Sequence, residues 1–251
     1  MSIDDMTMAQ TRQGGGSNPL INPFILDDFD DESVTTAKVV VRRAPGNTVR
    51  AINLPHLQSV AIEAASSLER DFTYVALAFP FVRRIVHQPF VLELELGTYT
   101  PDFLVCFLDG SRAVAEVKPA KFISKFQEKL DQARSALGAH AITFLIAHDG
   151  HLRKDGIESR AKQIRRYAKG AYPQAECELA RSILKSASSG VRIRDLVAGG
   201  VQKTTVLHMV SHQQLEIGRD LDIADEAIVR LPTITTREGC HAIRFASWLD
   251  A

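Results

Sequence analysis

Apolar residues cluster on either side of Asp109-Gly110, near the middle of the chain, in a pattern that predicts a β-hairpin. One run follows Asp102, and the other leads into Glu116 and Lys118. Residues two apart in a strand point to the same face, so Glu116 and Lys118 share a face while Val117 points toward the core. The hairpin therefore brings two carboxylates and a lysine together.

The register of this hairpin decides whether Asp102 joins the same face, because directly opposed residues have numbers with a constant sum. A two-residue loop at Asp109-Gly110 would pair Asp102 with Val117 and would turn the carboxylate to the wrong side. We therefore predict a loop with an odd number of residues, such as 109–111 with one residue in the left-handed conformation, or a bulge near Pro101.

Upstream of the hairpin, apolar residues recur at steps of three and four from Leu57 to Phe79. This spacing predicts one amphipathic helix that ends before Pro80 and packs on the sheet. Glu69 sits at the margin of the apolar stripe and can lean toward the sheet, whereas Glu63 falls on the polar side. A glutamate at such a margin is commonly a boundary residue, and only the neighbouring hairpin makes Glu69 a functional candidate.

The remaining pattern up to residue 150 completes a mixed α/β layout. Residues 38–42 are a short strand candidate, and residues 82–96 read as one strand broken at Pro89. Apolar residues from Phe122 to Leu137 predict a helix, and residues 141–147 predict a buried strand. The order helix, three antiparallel strands, helix and strand indicates an α/β fold with a mixed sheet.

A second unit is predicted after residues 170–173. It comprises helices at 175–187, 193–198 and 202–211, followed by strand-like pieces at 214–219 and 227–231. Three small helices and a hairpin are the parts of a winged helix-turn-helix, whose third helix would enter a major groove with Lys203 and Thr204 near its start. Contact with DNA and contact with a partner protein are equal alternatives here, and the end of the chain at Trp248 would dock back or bind a partner.

Composition is that of an ordinary globular protein, with 45% hydrophobic and 24% charged residues in 251. No uninterrupted apolar run could span a membrane and the N-terminus lacks a signal-sequence pattern, so we expect a cytoplasmic protein. Cys106, Cys177 and Cys240 lie far apart, which predicts reduced thiols rather than a disulfide framework or a zinc site.

The net charge of zero conceals an uneven distribution of charge. Residues 1–37 contain seven acids and one base, and residues 1–36 are expected to form a flexible acidic tail. Basic residues are concentrated from residue 153 to residue 169, which suggests contact with DNA phosphates. Lysines also recur at every fourth position after Lys118, at 121, 125 and 129, where contact with phosphates and a solvated helix face are equal alternatives. The predicted phosphate contacts are Lys121, Lys125, Arg160, Arg165 and Arg166.

The chemistry of the hairpin residues points to phosphodiester hydrolysis. Asp102 and Glu116 offer oxygen ligands that suit Mg²⁺, which usually takes one or two carboxylates and keeps several waters. Lys118 beside them can orient a nucleophilic water or offset charge on a phosphate.

These residues resemble a known motif. Pro101-Asp102, a turn and then Glu116-Val117-Lys118 resemble the PD-(D/E)xK motif of restriction-endonuclease-like nucleases. The longer strings at 99–105 and 116–119 resemble the TnsA-type endonuclease subunit of heteromeric transposases, and segments 67–72 and 88–89 are similar to two further landmarks of that family. The resemblance implies a restriction-endonuclease-like mixed sheet flanked by helices at 37–172 and a winged-helix-like domain at 173–251.

By this resemblance the protein would be a bacterial, nucleoid-associated DNA endonuclease that uses Mg²⁺, with Mn²⁺ as a substitute. It would cut double-stranded DNA at transposon ends beside a DDE-type transposase subunit and a regulatory ATPase. Asp102, Glu116 and Glu69 would hold the metal, Lys118 would position or activate water, and Gln88 would form a hydrogen bond within the site. Glu116 stands where some transposon relatives have glutamine, which leaves the number of metals open.

Two alternatives share parts of this interpretation. The chain could be a standalone restriction or repair nuclease with the same core. It could also be a non-catalytic winged-helix DNA-binding regulator in which the nuclease-like fold is only a scaffold. The complete set of Glu69, Asp102, Glu116 and Lys118 argues against the regulator.

Overall fold

The computed structural model describes residues 50–233 and 240–250. The predicted acidic tail at 1–36 and the predicted strand at 38–42 lie outside these residues. The first part contains, in chain order, β1 (Arg50–Ile52), β2 (Ile62–Ala64), α1 (Ser67–Ala76), β3 (Val82–His87), β4 (Leu92–Leu94), β5 (Gly97–Tyr99), β6 (Phe103–Phe107), β7 (Arg112–Val117), α2 (Ala120–Gly138), β8 (Thr143–Ala147), α3 (Asp149–Leu152) and α4 (Ile157–Arg166). The second part contains α5 (Gln174–Lys185), β9 (Val191–Arg192), α6 (Ile193–Ala198), α7 (Lys203–Ser211), β10 (Glu216–Ile217), β11 (Ile228–Arg230) and α8 (His241–Asp250).

A four-stranded sheet in the order β3-β6-β7-β8 is the centre of the first part. Neighbours β3, β6 and β7 run antiparallel, and β8 runs parallel to β7 after the crossover helix α2. The predicted mixed α/β sheet flanked by helices is therefore confirmed. No helix within residues 50–233 and 240–250 is long and apolar enough to cross a membrane.

Side chains alternate along β6 and β7 and so build two cores on opposite faces of the sheet. Phe103 and Ala115 face α1 and α8, as does Val117, in agreement with its predicted core position. Leu104 and Val114 face α2 and the small hairpin of β4 and β5. The second face is the one on which the candidate site lies.

The single helix predicted from Leu57 to Phe79 is wrong in its first half. Residues 62–64 instead form β2, which pairs antiparallel with β1 and buries Ile62. Helix α1 begins only after Ser66, whose hydroxyl accepts a hydrogen bond from the Glu69 amide at 3.1 Å. The apolar spacing upstream of Ser66 fits a helix by coincidence, and the helix cap decides where the helix starts.

The predicted break in the strand at 82–96 is confirmed. Strand β3 ends at His87, and Gln88 takes a left-handed φ of 40° directly before Pro89. The chain then forms β4, which pairs with β5 in a separate two-stranded hairpin. This turn places the end of β3 beside the start of β6.

The second part contains the predicted three helices and hairpin, together with a third short strand. Helices α5, α6 and α7 pack with a sheet in the order β10-β11-β9, in which all pairs are antiparallel. Helix α8 leaves this part and packs on β6, β7 and β8, where Phe245 contacts Phe72, Phe79 and Phe107. The final segment thus docks back onto the first part.

Candidate active site

The loop of the β6–β7 hairpin sets the geometry of the site. Cys106 pairs with Arg112, and the Phe107 amide donates to the Ser111 carbonyl, which leaves residues 108–110 as a three-residue loop with a left-handed Gly110 (φ 79°). The predicted odd loop is confirmed, although it lies one residue before 109–111. The residue numbers of each opposed pair, such as Cys106 and Arg112, therefore have the same sum, and continuing this register places Asp102 opposite Glu116.

Asp102 and Glu116 lie on one face at the end of the sheet, with Lys118 two residues further along. The Asp102 Oδ2 atom accepts a hydrogen bond from the Val117 amide at 2.8 Å. Glu116 is buried; its Oε1 atom lies 2.8 Å from Lys118 Nζ, and its Oε2 atom accepts a hydrogen bond from the Tyr99 hydroxyl at 2.8 Å. The structure thus brings together three of the predicted catalytic residues.

The electrostatics of this pair are unfavourable for two full charges. Burial, followed by the nearby charge of Glu116, raises the pKa of Asp102 to about 8, even though the Val117 amide and Lys118 oppose the shift. Burial and the charge of Glu116 also raise the pKa of Tyr99, so the phenol stays protonated and donates to Glu116. Two carboxylates share one lysine, and a proton or a cation would relieve the excess negative charge.

Glu69 borders this pair but is occupied by its own helix. Its Oε2 atom accepts a hydrogen bond from the Ala65 amide at 2.8 Å, while its own amide donates to the Ser66 hydroxyl at 3.1 Å, so Glu69 helps to cap the start of α1. Its charge still raises the pKa of Asp102. Within residues 50–233 and 240–250, no group of three or more His, Cys, Asp or Glu side chains is arranged to hold a metal.

Gln88 lies directly beside Asp102. Its amide donates to the Asp102 carbonyl at 2.8 Å, which extends the β3–β6 ladder by one residue. The Gln88 Oε1 atom is buried and has no hydrogen-bond partner among the described residues. Because buried polar atoms are nearly always satisfied, this oxygen indicates a place for a water or a bound group at the Gln88 side chain.

The donor set at this place fits Mg²⁺ or Mn²⁺. Both carboxylates supply hard oxygen atoms, and Mg²⁺ commonly uses one or two carboxylates and fills its other positions with water. Burial first, and then the charge of Glu116, raise the pKa of Asp102, and a divalent cation bound here would favour its ionised form. Asp102 and Glu116 would hold such an ion.

Comparison with known proteins identifies no family. The chain matches no protein-family model, and no curated protein is similar enough to count as a relative. What the site can do is therefore judged from its own residues.

The lysines predicted to contact phosphate on α2 lie beside the site. Lys121 and Lys125 are exposed, and their ammonium groups lie 4.9 Å from the ring centroid of Phe122 and 5.7 Å from that of Phe126. A cleft of about 200 Å³ opens beside Glu116 and Lys118, on the side of Phe126. It is lined by Thr98, Tyr99, Thr100, Glu116, Lys118, Phe126, Lys129 and Leu130.

The predicted phosphate contacts on α4 are mostly engaged within the protein. Arg160 donates to the carbonyls of Asp220 at 2.7 Å and Asp155 at 2.6 Å. The Arg165 guanidinium lies 5.2 Å from the centroid of the Tyr74 ring. Only Arg166, which is exposed, lacks a side-chain partner among the described residues.

Helix α7 offers little surface to a DNA groove. Lys203 forms a 2.7 Å ion pair with Asp225, and the exposed Thr204 hydroxyl lies 3.4 Å from Gln202 Oε1. The positions that follow are mostly buried, namely Thr205, Val206, Leu207, Met209 and Val210. Accessible side chains of α7 therefore lie mainly in its first turn.

Tyr99 and Phe126 belong to the site but were not singled out from the sequence. Tyr99 lies three residues before Asp102 in the motif string, and its spacing gives no sign that its hydroxyl reaches from the β4–β5 hairpin to Glu116 on β7. Phe126 continues the apolar stripe of α2, so its periodicity predicts a core residue. Only the fold shows that the sheet ends before this stripe does.

Proposed function

We propose that the protein is a Mg²⁺-dependent DNA endonuclease that serves as the cutting subunit of a heteromeric transposase. The observation that carries the proposal is the placement of Asp102 opposite Glu116, with Lys118 on the same face. Glu116 and Lys118 line an open cleft. These are the residues of the PD-(D/E)xK motif that this chain resembles. The odd number of residues in the hairpin loop is what puts Asp102 and Glu116 on the same face.

Each residue has a role that follows from its contacts. Asp102 and Glu116 would bind the ion, and Mg²⁺, when bound, would polarise the scissile phosphate and its attacking water. Lys118 forms an ion pair with Glu116 and can offer its remaining N–H groups to a water or to a phosphate oxygen as negative charge develops. Tyr99 fixes the orientation of Glu116 by donating to its second oxygen.

The surrounding architecture supports a restriction-endonuclease-like core with a winged-helix-like second part. The sheet carries α1 on one face and α2 on the other, with the acidic pair at its end. The second part has three helices and a three-stranded antiparallel sheet, as expected for a winged helix. Since most of α7 is buried, contact with DNA or with a partner would use its first turn, including Lys203 and Thr204.

Nicking of supercoiled plasmid tests the proposed activity. We expect nicking in Mg²⁺ or Mn²⁺ but not in EDTA, and a fall of at least about 100-fold in Asp102→Asn and in Lys118→Met, because each removes charge that the transition state needs. The exposed Asp131→Asn on α2 is the matched control and should nick normally.

Metal binding provides a second readout that does not depend on a partner subunit. Calorimetry with Mn²⁺ should detect binding to the wild-type protein and to Asp131→Asn, and no binding to Asp102→Asn. Absence of both nicking and Mn²⁺ binding in the wild-type protein would show that the proposed function is wrong.

The transposase context is supported by the motif string at 99–105 and 116–119. Genes next to this one test it, because a DDE-type transposase and an ATPase are expected there. A neighbouring DNA methyltransferase gene would instead favour a standalone restriction enzyme with the same site.

A further inference from the structure

The apolar stripe of α2 extends beyond the core that it helps to form. Its last members, Leu130, Ala133 and Leu137, are buried against the sheet. One and two turns earlier, Phe126 is 40% exposed and Phe122 is 45% exposed. Two large aromatic rings four residues apart on one helix face are thus partly open to solvent, where they contribute little to the core.

Lysines surround these rings. Lys118 Nζ lies 4.7 Å from the Phe126 centroid, and the ammonium groups of Lys121 and Lys125 are also within cation–π distance of the two rings. Residues 120–127 of the helix contain no acid. We name Lys118, Lys121, Phe122, Lys125 and Phe126 the aromatic face.

The aromatic face is continuous with the candidate active site. Lys118 joins the two, since its Nζ atom is 2.8 Å from Glu116 Oε1 and 4.7 Å from the Phe126 ring centroid. Phe126 and Glu116 line the same cleft of about 200 Å³. A nucleotide whose phosphate lies at the carboxylates would therefore have its base next to Phe126.

Phosphates complement the lysines, and bases complement the exposed rings, because every base has a π-face that can stack on an aromatic side chain. Bases inside a duplex are already stacked on one another and must leave the stack to reach a protein ring. We propose that the aromatic face binds unpaired bases next to the scissile phosphate, so that the substrate is DNA with a melted or single-stranded junction at the cut. This inference rests on the proposed nuclease function for the location of the cut.

Binding of labelled oligonucleotides to the full chain in EDTA tests the inference without catalysis. We expect wild-type protein to bind a 20-nucleotide oligo-dT more tightly than Phe122→Ala or Phe126→Ala, by about tenfold for each variant. Affinity for a duplex of the same length should change less than twofold. Phe126→Trp should restore oligo-dT binding because it keeps a stacking ring, and Val197→Ala, an exposed apolar position on α6, should change neither affinity.

Lysine variants separate charge from stacking. Lys121→Gln and Lys125→Gln should weaken binding of oligo-dT and of duplex alike and should lower the salt dependence of both, because phosphates are common to the two ligands. In Mg²⁺, the wild-type protein should cut a duplex with a central bubble faster than a fully paired one, and Phe126→Ala should bring that ratio toward one.

Several outcomes would overturn the inference. One is equal oligo-dT affinity in the wild-type, Phe122→Ala and Phe126→Ala proteins at unchanged urea midpoints, while metal-dependent nicking persists; the nuclease proposal would then stand alone. A second is a change in oligomeric state in Phe122→Ala or Phe126→Ala with oligo-dT affinity unchanged, which would assign the aromatic face to contact between copies of the chain. A third is that these variants lose binding of a peptide of the acidic residues 24–32 while their oligo-dT affinity stays unchanged, which would assign the aromatic face to a protein segment. Oligo-dT binding that depends on Phe122 and Phe126, in a protein that neither binds Mn²⁺ nor nicks DNA, would support base binding by the aromatic face and would show that the proposed nuclease function is wrong.

Discussion

Two places in the first part of the molecule bury carboxylates, and they differ in how many basic side chains balance the negative charge. Asp71 on α1 is 1% exposed and lies 3.4 Å from Arg70, 2.9 Å from Arg153 and 3.0 Å from Lys162. At the end of β6 and β7, two carboxylates share the single base Lys118.

The difference distinguishes a structural acid from a functional one. Around Asp71, Lys162 ties α1 to α4 and Arg153 ties it to the segment after α3, and together with Arg70 of α1 itself they satisfy the acid without a ligand. The pair of Asp102 and Glu116 has one base between two acids, and the raised pKa of Asp102 means that ionising both acids costs folding stability. A protein retains such an uncompensated pair where a bound cation or a reaction uses it.

Removing the compensated acid should give the largest effect on stability. Asp71→Ala leaves three bases close together without their acid, and we expect the free energy of unfolding to fall by about 3 kcal/mol. The estimate is below that for a fully buried pair because the Arg153 side chain is 44% exposed and can regain water. Urea denaturation measures the change.

A matched control for this prediction is Asp131→Ala. That carboxylate is half exposed and pairs with Arg134 on the surface of α2, so its loss should cost less than about 0.5 kcal/mol. A similar small loss in Asp71→Ala would mean that the three-base cluster contributes no more than a surface pair.

Neutralising an acid of the uncompensated pair should have the opposite sign. Asp102→Asn keeps an oxygen for the Val117 amide and removes the charge repulsion, so the metal-free protein should gain about 2 kcal/mol at high pH. Because the folded-state pKa of Asp102 is about 8, above its ordinary value, the folded wild-type protein binds the extra proton, and its stability falls as pH rises from about 4 to about 8.

The test compares urea midpoints of the wild-type and Asp102→Asn proteins at pH 5, 7 and 9 in EDTA. The advantage of Asp102→Asn should be small at pH 5 and should grow to its full value by pH 9. A loss of stability in Asp102→Asn at pH 9 would show that the carboxylates are not in electrostatic conflict.

The compensated and uncompensated sites also differ in how far the sequence reveals them. Asp102, Glu116 and Lys118 lie within one hairpin, so alternation along a strand and the parity of one loop suffice to place them together. Asp71 and Arg153 are 82 residues apart, and no local pattern links them. The same reason hides the docking of α8, whose His241 amide is held by Asp109 across 132 residues.

The predicted helix in front of the hairpin is wrong in its first half because two local sequence signals there conflict. Within the helix predicted from Leu57 to Phe79, Ile62 and Ala64 also alternate with Glu63 as in a half-buried strand. Pairing with β1 at residues 50–52 selects the strand. The Ser66 hydroxyl caps the Glu69 amide and the Glu69 carboxylate accepts from the Ala65 amide, so a Ser-x-x-Glu signal that is readable in the sequence marks the true start of α1. Glu69 thus has a structural role that the motif resemblance alone does not show.

The smallest expected effect concerns the support of the uncompensated pair. Tyr99→Phe removes the hydroxyl that donates to Glu116 Oε2 at 2.8 Å, so this buried oxygen loses its donor and unfolding should become easier by about 1 kcal/mol. A less firmly oriented Glu116 should also lower the nicking rate and Mn²⁺ affinity about tenfold. Tyr172→Phe, which keeps its ring 4.1 Å from that of His208, is the control and should change neither property. Normal Mn²⁺ affinity in Tyr99→Phe would mean that Lys118 alone orients Glu116, and that the phenol serves only to satisfy a buried oxygen.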